Sequence, residues 1–176
     1  MEKIRIGVFG VGRGMSLAKC CMLLDAEIVA ICDHHKERRE KAQQSLSSDV
    51  AVYESFDDFI NHPMDAVFLA NYFHEHAPFA IKALRAGKHV LSECIAMGSM
   101  AEGAALCRAV EETGKIYMLA ENYPFTKLRM EMKRLYDSGE LGELIYGEGE
   151  YMHPMDMDTL YNISPGMHHW RNQIPS

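Results

Sequence analysis

Ile4-Arg5-Ile6-Gly7-Val8-Phe9-Gly10-Val11-Gly12-Arg13-Gly14-Met15 is the stretch that decides the fold. An apolar run runs into a glycine cluster and then into Met15 to Leu24, which has helical spacing. A strand that enters a glycine turn and leaves as a helix brings backbone N–H groups and the positive end of a helix dipole to one point. A diphosphate is stabilised there. Gly10 and Gly12 fit the first two glycines of G-x-G-x-x-G, and the third position falls on Met15. Gly14 stands one residue early, so the helix is expected to pack on the strand differently at that point.

The turn alone is a weak signal, and Asp33 strengthens it. This residue ends the next apolar run, Glu27 to Cys32, about 20 residues beyond Gly12, where a carboxylate accepts hydrogen bonds from ribose hydroxyls. The same charge repels a 2′-phosphate. NAD is therefore expected rather than NADP, although Lys36, Arg38 and Arg39 keep NADP open. The bland alternative is a turn that only redirects the chain and an aspartate that caps the next helix.

Working outward, Ala66 to Ala70, His89 to Ser92 and Ile116 to Ala120 are short apolar runs, and Ala51 to Tyr53 is a weaker one. They read as strands covered on both faces. Lys36 to Leu46, Ala77 to Ala86 and Met100 to Thr113 carry helical spacing between them, and parallel neighbours need such crossovers. The fold class is α/β, a doubly wound parallel sheet. Ser99 with Glu102 and Ser55 with Asp58 read as capping boxes, while Gly87 and Gly114 sit where left-handed residues end helices.

After Glu121 the character changes. Thr126 to Ser138 reads as a helix and Glu143 to Tyr151 as a strand with one exposed face. Residues 1–123 are expected to form the nucleotide-binding domain, and residues 124–176 the start of a truncated α+β domain. A single strand cannot bury its own face, which favours a fragment over a complete second unit.

The chain has 176 residues, and 18 basic against 25 acidic side chains give a net charge of −7, which argues against a nucleic-acid partner. No run approaches the roughly 20 apolar residues that span a bilayer, and no signal-peptide pattern opens the chain. A cytoplasmic location is expected. The 5 cysteines form no CxxC pair, and the 13 methionines read as scattered core filler. His74-Glu75-His76 and His168-His169 lack the spacing and thiolate partners of a metal site, so no metal is expected.

The sequence resembles the glucose-fructose oxidoreductase, inositol dehydrogenase and MocA family. The carriers are the glycine turn, Asp65-Ala66-Val67-Phe68-Leu69-Ala70-Asn71, His76, Ala83-Leu84-Arg85-Ala86-Gly87-Lys88-His89-Val90-Leu91 and Glu121-Asn122-Tyr123. The resemblance implies a Rossmann domain followed by a largely antiparallel domain for substrate and subunit contacts, hence a homo-oligomer acting on a sugar or cyclitol. It implies that Gly10, Gly12, Arg13, Gly14, Met15, Asp33, Asn71, His76, Glu93 and Asn122 serve the cofactor. The family's Glu-Lys-Pro motif supplies a lysine that polarises or protonates the substrate oxygen. Here the same place reads Glu93-Cys94-Ile95.

A thiol offers one weak donor in place of a fixed charge. Cys94, Tyr123 and His153 remain as catalytic candidates, with packing or surface roles as the alternative for each. A branch similar to this chain that also lacks the lysine is the NAD-dependent glycosidase group of the α-N-acetylgalactosaminidase type. Gly142 to Gly149, Tyr151-x-His153 and Trp170-Arg171 resemble it. In that chemistry a sugar hydroxyl is oxidised, elimination and water addition follow, and re-reduction leaves no net redox change. The resemblance leads to the expectation of an NAD(P)-dependent oxidoreductase acting on a sugar or cyclitol, a dehydrogenase with an unorthodox acid, with a redox-neutral glycosidase and a catalytically silent cofactor-binding or assembly module as the alternatives.

Overall fold

The structure, a computed structural model, describes residues 2–150 and 152. Among these, one compact unit runs through Ala120 and a second begins at Glu121.

The first unit is built on strands β1 (Ile4–Phe9), β2 (Ala26–Cys32), β3 (Ala51–Tyr53), β4 (Ala66–Leu69), β5 (His89–Ser92) and β6 (Tyr117–Leu119). They form one parallel sheet in the order β3-β2-β1-β4-β5-β6. The order reverses beside β1, so the first crossovers leave on one side and the later ones on the other. Helices α1 (Gly14–Met22) and α2 (Lys36–Gln43) cover one face, where Met15, Ala18 and Ala42 pack on Val8, Ile31 and Phe68. Helices α3 (Phe56–Phe59), α4 (His76–Arg85) and α5 (Met100–Thr113) cover the other, where Phe59, Ala80, Leu84 and Leu106 pack with Phe9, Val67 and Leu69. Successive residues of β1 and β4 thus enter opposite cores, which explains apolar runs without alternation.

The caps obey the sequence with small shifts. Ser99 Oγ accepts from the Glu102 N–H at 3.2 Å, but the Glu102 carboxylate takes the N–H of Gly98 at 2.7 Å rather than that of Ser99 itself. Ser55 caps α3 through the N–H of Asp57. Gly87 and Gly114 both take positive φ, 79° and 62°. Arg5 and Asp65 tie the start of β1 to the approach of β4 through a two-pronged pair, 2.7 and 3.2 Å, and this holds the Asp65 carboxyl down to about 2.

In the second unit α6 (Lys127–Asp137) carries Leu128, Met130 and Met132 exposed, and no residue of this helix is buried. The strand expected over Glu143 to Tyr151 does not form among residues 143–150, which are all exposed. A lone strand finds no ladder partner there, and its backbone groups stay with water.

Candidate cofactor site

The strand ladders run one residue past the strands. Gly10 N donates to Cys32 O at 2.8 Å, Ala70 N to Phe9 O at 2.7 Å, and Glu93 N to Leu69 O at 2.8 Å. These bonds align the residues that follow β1, β2, β4 and β5 in one row at the carboxyl edge of the sheet. A crevice at that edge, beside the reversal of strand order, is where doubly wound sheets bind ligands.

Gly10 has φ 89°, and a Cβ there would overlap the backbone of Ala70. No other residue fits both demands. Gly12 is exposed and turns bare backbone to open space, and a Cβ on it would stand 3.7 Å from Arg38 Nη1. Gly14 is buried, with a Cβ position only 2.8 Å from Val8 and 3.2 Å from Ala70. The close helix-to-strand approach expected of the third glycine is therefore made one position early. Met15 is 9% exposed and lies in the core with Val8 and Phe68, so its side chain packs rather than lining the crevice.

Asp33 is 5% exposed, and both its oxygens hold backbone: Oδ2 accepts from Val11 N at 3.0 Å and Oδ1 from His35 N at 2.9 Å. The second bond is the helix-entry role of the bland alternative; the first locks the glycine turn. A carboxylate has about four lone-pair sites, so two remain for ribose hydroxyls. Arg39 is committed to the Asp33 carbonyl at 2.6 Å and to Glu54 at 2.9 Å. His35 Nε2 and Tyr72 Oη, 3.3 Å apart, join the ends of β2 and β4.

On the other side of the row, Asn71 Oδ1 is buried without a hydrogen-bond partner, while its Nδ2 reaches Glu75 at 3.3 Å. A buried unpaired carbonyl is costly and is suited to a ligand's donor. Glu93 accepts from Arg13 Nε at 3.0 Å and from Cys94 N at 3.1 Å. Arg13 follows β1 and Glu93 follows β5, so the pair spans the end of β4. Cys94 is half-buried. His76 is 1% exposed, with Nδ1 2.9 Å from Ile95 O and Nε2 3.3 Å from Asn71 O. Burial pushes the His76 imidazole below its ordinary value, which favours the neutral ring.

Gly10, Gly12, Arg13, Gly14, Asp33, Asn71 and Glu93 thus come together, with His76 behind them. Asn122 and Tyr123 belong to the second unit, where Tyr123 carries the Arg129 guanidinium over its ring at 4.8 Å. His153, His168 and His169 lie outside the described residues. Sequence reasoning did not find the Arg13–Glu93 pairing or the His35–Tyr72 bridge. Each of these residues lies within a few positions of a strand's carboxyl end, and collecting such positions would have found them. A separate groove bordered by Lys3, Met22, Glu27, Leu46 and His62 opens at the opposite, amino-terminal ends of the strands.

The residues present fit a dinucleotide: an open glycine cradle, an acid at the second strand and an orphaned amide oxygen at the fourth. Comparisons with known proteins agree. Residues 4–121 match the oxidoreductase family with an NAD-binding Rossmann fold, Gfo/Idh/MocA. Glycosyl hydrolase family 109 protein 1 of Shewanella sp. (strain MR-4) is 31% identical over 166 residues, 88% of this chain and 36% of that protein. The α-N-acetylgalactosaminidase of Shewanella oneidensis is 30% identical over the same shares. The chain spans just over a third of the length of these relatives.

Among solved structures, the WlbA dehydrogenase of Bordetella pertussis in complex with NADH and UDP-GlcNAcA is similar at 26% identity with a TM-score of 0.73. The match covers 80% of this chain and 43% of that one. The scyllo-inositol dehydrogenase of Lactobacillus casei with bound NAD(H) and scyllo-inositol matches at 25% identity and the same TM-score and shares. The glycine turn, the six-stranded parallel sheet and the extent of the match lead to one conclusion: the chain belongs to the Gfo/Idh/MocA family of oxidoreductases and carries its NAD-binding Rossmann fold.

Proposed function

We propose that this chain is the nucleotide-binding part of a protein that uses NAD to act on a glycoside, with bond cleavage and no net redox change as the outcome. The observation that carries this reading is the combination of an intact cofactor cradle with Cys94 at the place where the family pattern has lysine. When bound, the nicotinamide supplies reversible hydride transfer at a sugar hydroxyl. The chain's own residues hold and orient it. Gly10, Gly12 and the first turn of α1 take the diphosphate, Asp33 takes the adenosine ribose, and Asn71 and Glu93 face the nicotinamide side. Asn122 is assigned to the nicotinamide end, and Tyr123 and His153 to substrate or proton transfer, by resemblance.

NAD is preferred over NADP. Asp33 places its carboxyl group at the ribose position, Arg39 is taken up by Glu54 and the Asp33 carbonyl, and Lys36 pairs with Glu40 at 3.8 Å. Arg38 stands beside the glycine turn, its Nη1 3.7 Å from where a Cβ on Gly12 would lie.

A second reading, a dehydrogenase of a sugar or cyclitol, is favoured by the dehydrogenases among the structural neighbours. The two differ in their product. A protein containing this chain, given NAD and an α-N-acetylgalactosaminide, is expected to release free sugar without accumulating absorbance at 340 nm. Steady NADH production with no glycoside cleavage would transfer the conclusion to the dehydrogenase. Cofactor binding with neither signal would leave a catalytically silent cofactor-binding or assembly module.

A further inference from the structure

His76 opens α4 yet is the most deeply buried polar ring of the first unit, 1% exposed. Its two nitrogens face two backbone carbonyls that belong to different connections. Ile95 O lies in the segment after β5, 2.9 Å from Nδ1, and Asn71 O lies in the segment after β4, 3.3 Å from Nε2. Those two segments carry Asn71, whose side-chain oxygen is buried and unpaired, and Glu93, which accepts from Arg13 and from the Cys94 N–H.

A neutral imidazole has one N–H, so it can donate to one carbonyl at a time. The shorter contact assigns the proton to Nδ1 and the bond to Ile95 O. Nε2 then turns a lone pair toward Asn71 O, and the ring acts as a wedge on that side rather than a tie.

We propose that His76 is a positioning residue: by donating from Nδ1 to Ile95 O it fixes the segment Glu93-Cys94-Ile95 against the end of β4, and so sets the spacing between Glu93 and Asn71 that the nicotinamide half of the cofactor meets. This rests on the cofactor reading above. It makes a demand that packing alone does not. Asn places its amide nitrogen where the imidazole has Nδ1, Gln places one where it has Nε2, and Leu fills much of the space with no donor. A core role favours Leu, because a buried apolar side chain costs nothing in desolvation. A positioning role favours Asn.

The test uses the 176-residue chain and its His76→Asn, His76→Gln and His76→Leu variants, with circular dichroism to establish folding and NADH fluorescence to measure affinity. His76→Asn is expected to bind NADH within about twofold of wild type, and His76→Leu about tenfold more weakly, the size of one lost buried hydrogen bond. Two-bond ¹⁵N–¹H spectra of the wild-type ring are expected to show the Nδ1–H tautomer. Equal affinity of folded Leu and Asn variants would overturn the proposal, as would a ring protonated on Nε2. If the Leu variant does not fold, Asn must bind severalfold more tightly than Gln, and the reverse order overturns the assignment.

Hydrogen exchange without cofactor separates this claim from the cofactor reading. The Glu93 and Cys94 amides, bonded at 2.8 and 3.1 Å, should exchange at least several-fold faster in the Gln variant than in the Asn variant. Absence of NADH binding by wild type would remove the cofactor reading while this comparison still decides the tie, and equal exchange rates would remove the tie itself.

Discussion

The two halves of the crevice are built on opposite principles. On the side of β1 and β2, polar and backbone groups are matched internally: Gly10 lies against Ala70, Gly14 against Val8, and the Asp33 carboxylate holds Val11 and His35. On the side of β4 and β5, Asn71 keeps an unpaired buried oxygen, and Glu93 is shared between Arg13 and Cys94. The first half is a mould that exists before any ligand arrives. The second is held in place by His76 and retains a buried, unpaired amide oxygen that a ligand's donor can satisfy. Groups beside β1 and β2 are thus paired within the chain, while beside β4 one buried amide oxygen is left unpaired.

Gly10→Ala should break the mould most severely. The added methyl meets the Ala70 backbone at a φ of 89°, so a loss of about 3 kcal/mol in stability is expected, with no NADH binding at moderate concentrations. Denaturant unfolding checks it, and a variant as stable as wild type would show that the turn is not tightly seated. Asp33→Ala should cost about 2 kcal/mol, because one buried and one part-buried N–H lose their acceptor, and should lower NAD affinity at least tenfold. Unchanged affinity in calorimetry would remove the ribose assignment.

Asn71→Leu sharpens the contrast from the other side. The unpaired oxygen disappears, so unfolding should occur at the same denaturant concentration or slightly higher, while NADH affinity falls a few-fold. Simultaneous loss of stability and affinity would mean that Asn71 supports the fold as the first half does.

The smallest effect belongs to neither half. The Asp65 carboxyl is held down from 3.8 to about 2 by Arg5, so its stabilisation is fully present above pH 4 and disappears as pH falls toward 2. Both side chains are 41% exposed, so the contribution is small. Asp65→Asn should flatten the fall in Tm between pH 4 and 2 and leave NADH binding at pH 7 intact.

Much of the first half was legible in the residue order, because a glycine forced by backbone overlap and an acid at a strand end are local signals. The strands His89–Ser92 and Ala51–Tyr53 and the helix Met100–Thr113 fall where periodicity put them. The second half was not legible in the same way. That Arg13 meets Glu93, and that His76 faces two carbonyls, depends on the strand order placing β4 between β1 and β5, which no local pattern encodes. The strand expected over Glu143 to Tyr151 does not form among the described residues 143–150 for a related reason: alternation specifies a face, and a partner must supply the ladder.

The central claim is that the dinucleotide lies along the carboxyl edge of the sheet, with its diphosphate over Gly10 and Gly12. Amide chemical-shift mapping of the ¹⁵N-labelled chain during an NADH titration tests it most directly. The expected result is saturable movement of the Val11 to Gly14, Asp33, His35 and Asn71 amides. No movement at millimolar NADH, or movement confined to the groove around Lys3, Met22 and His62 at the opposite edge, would contradict it.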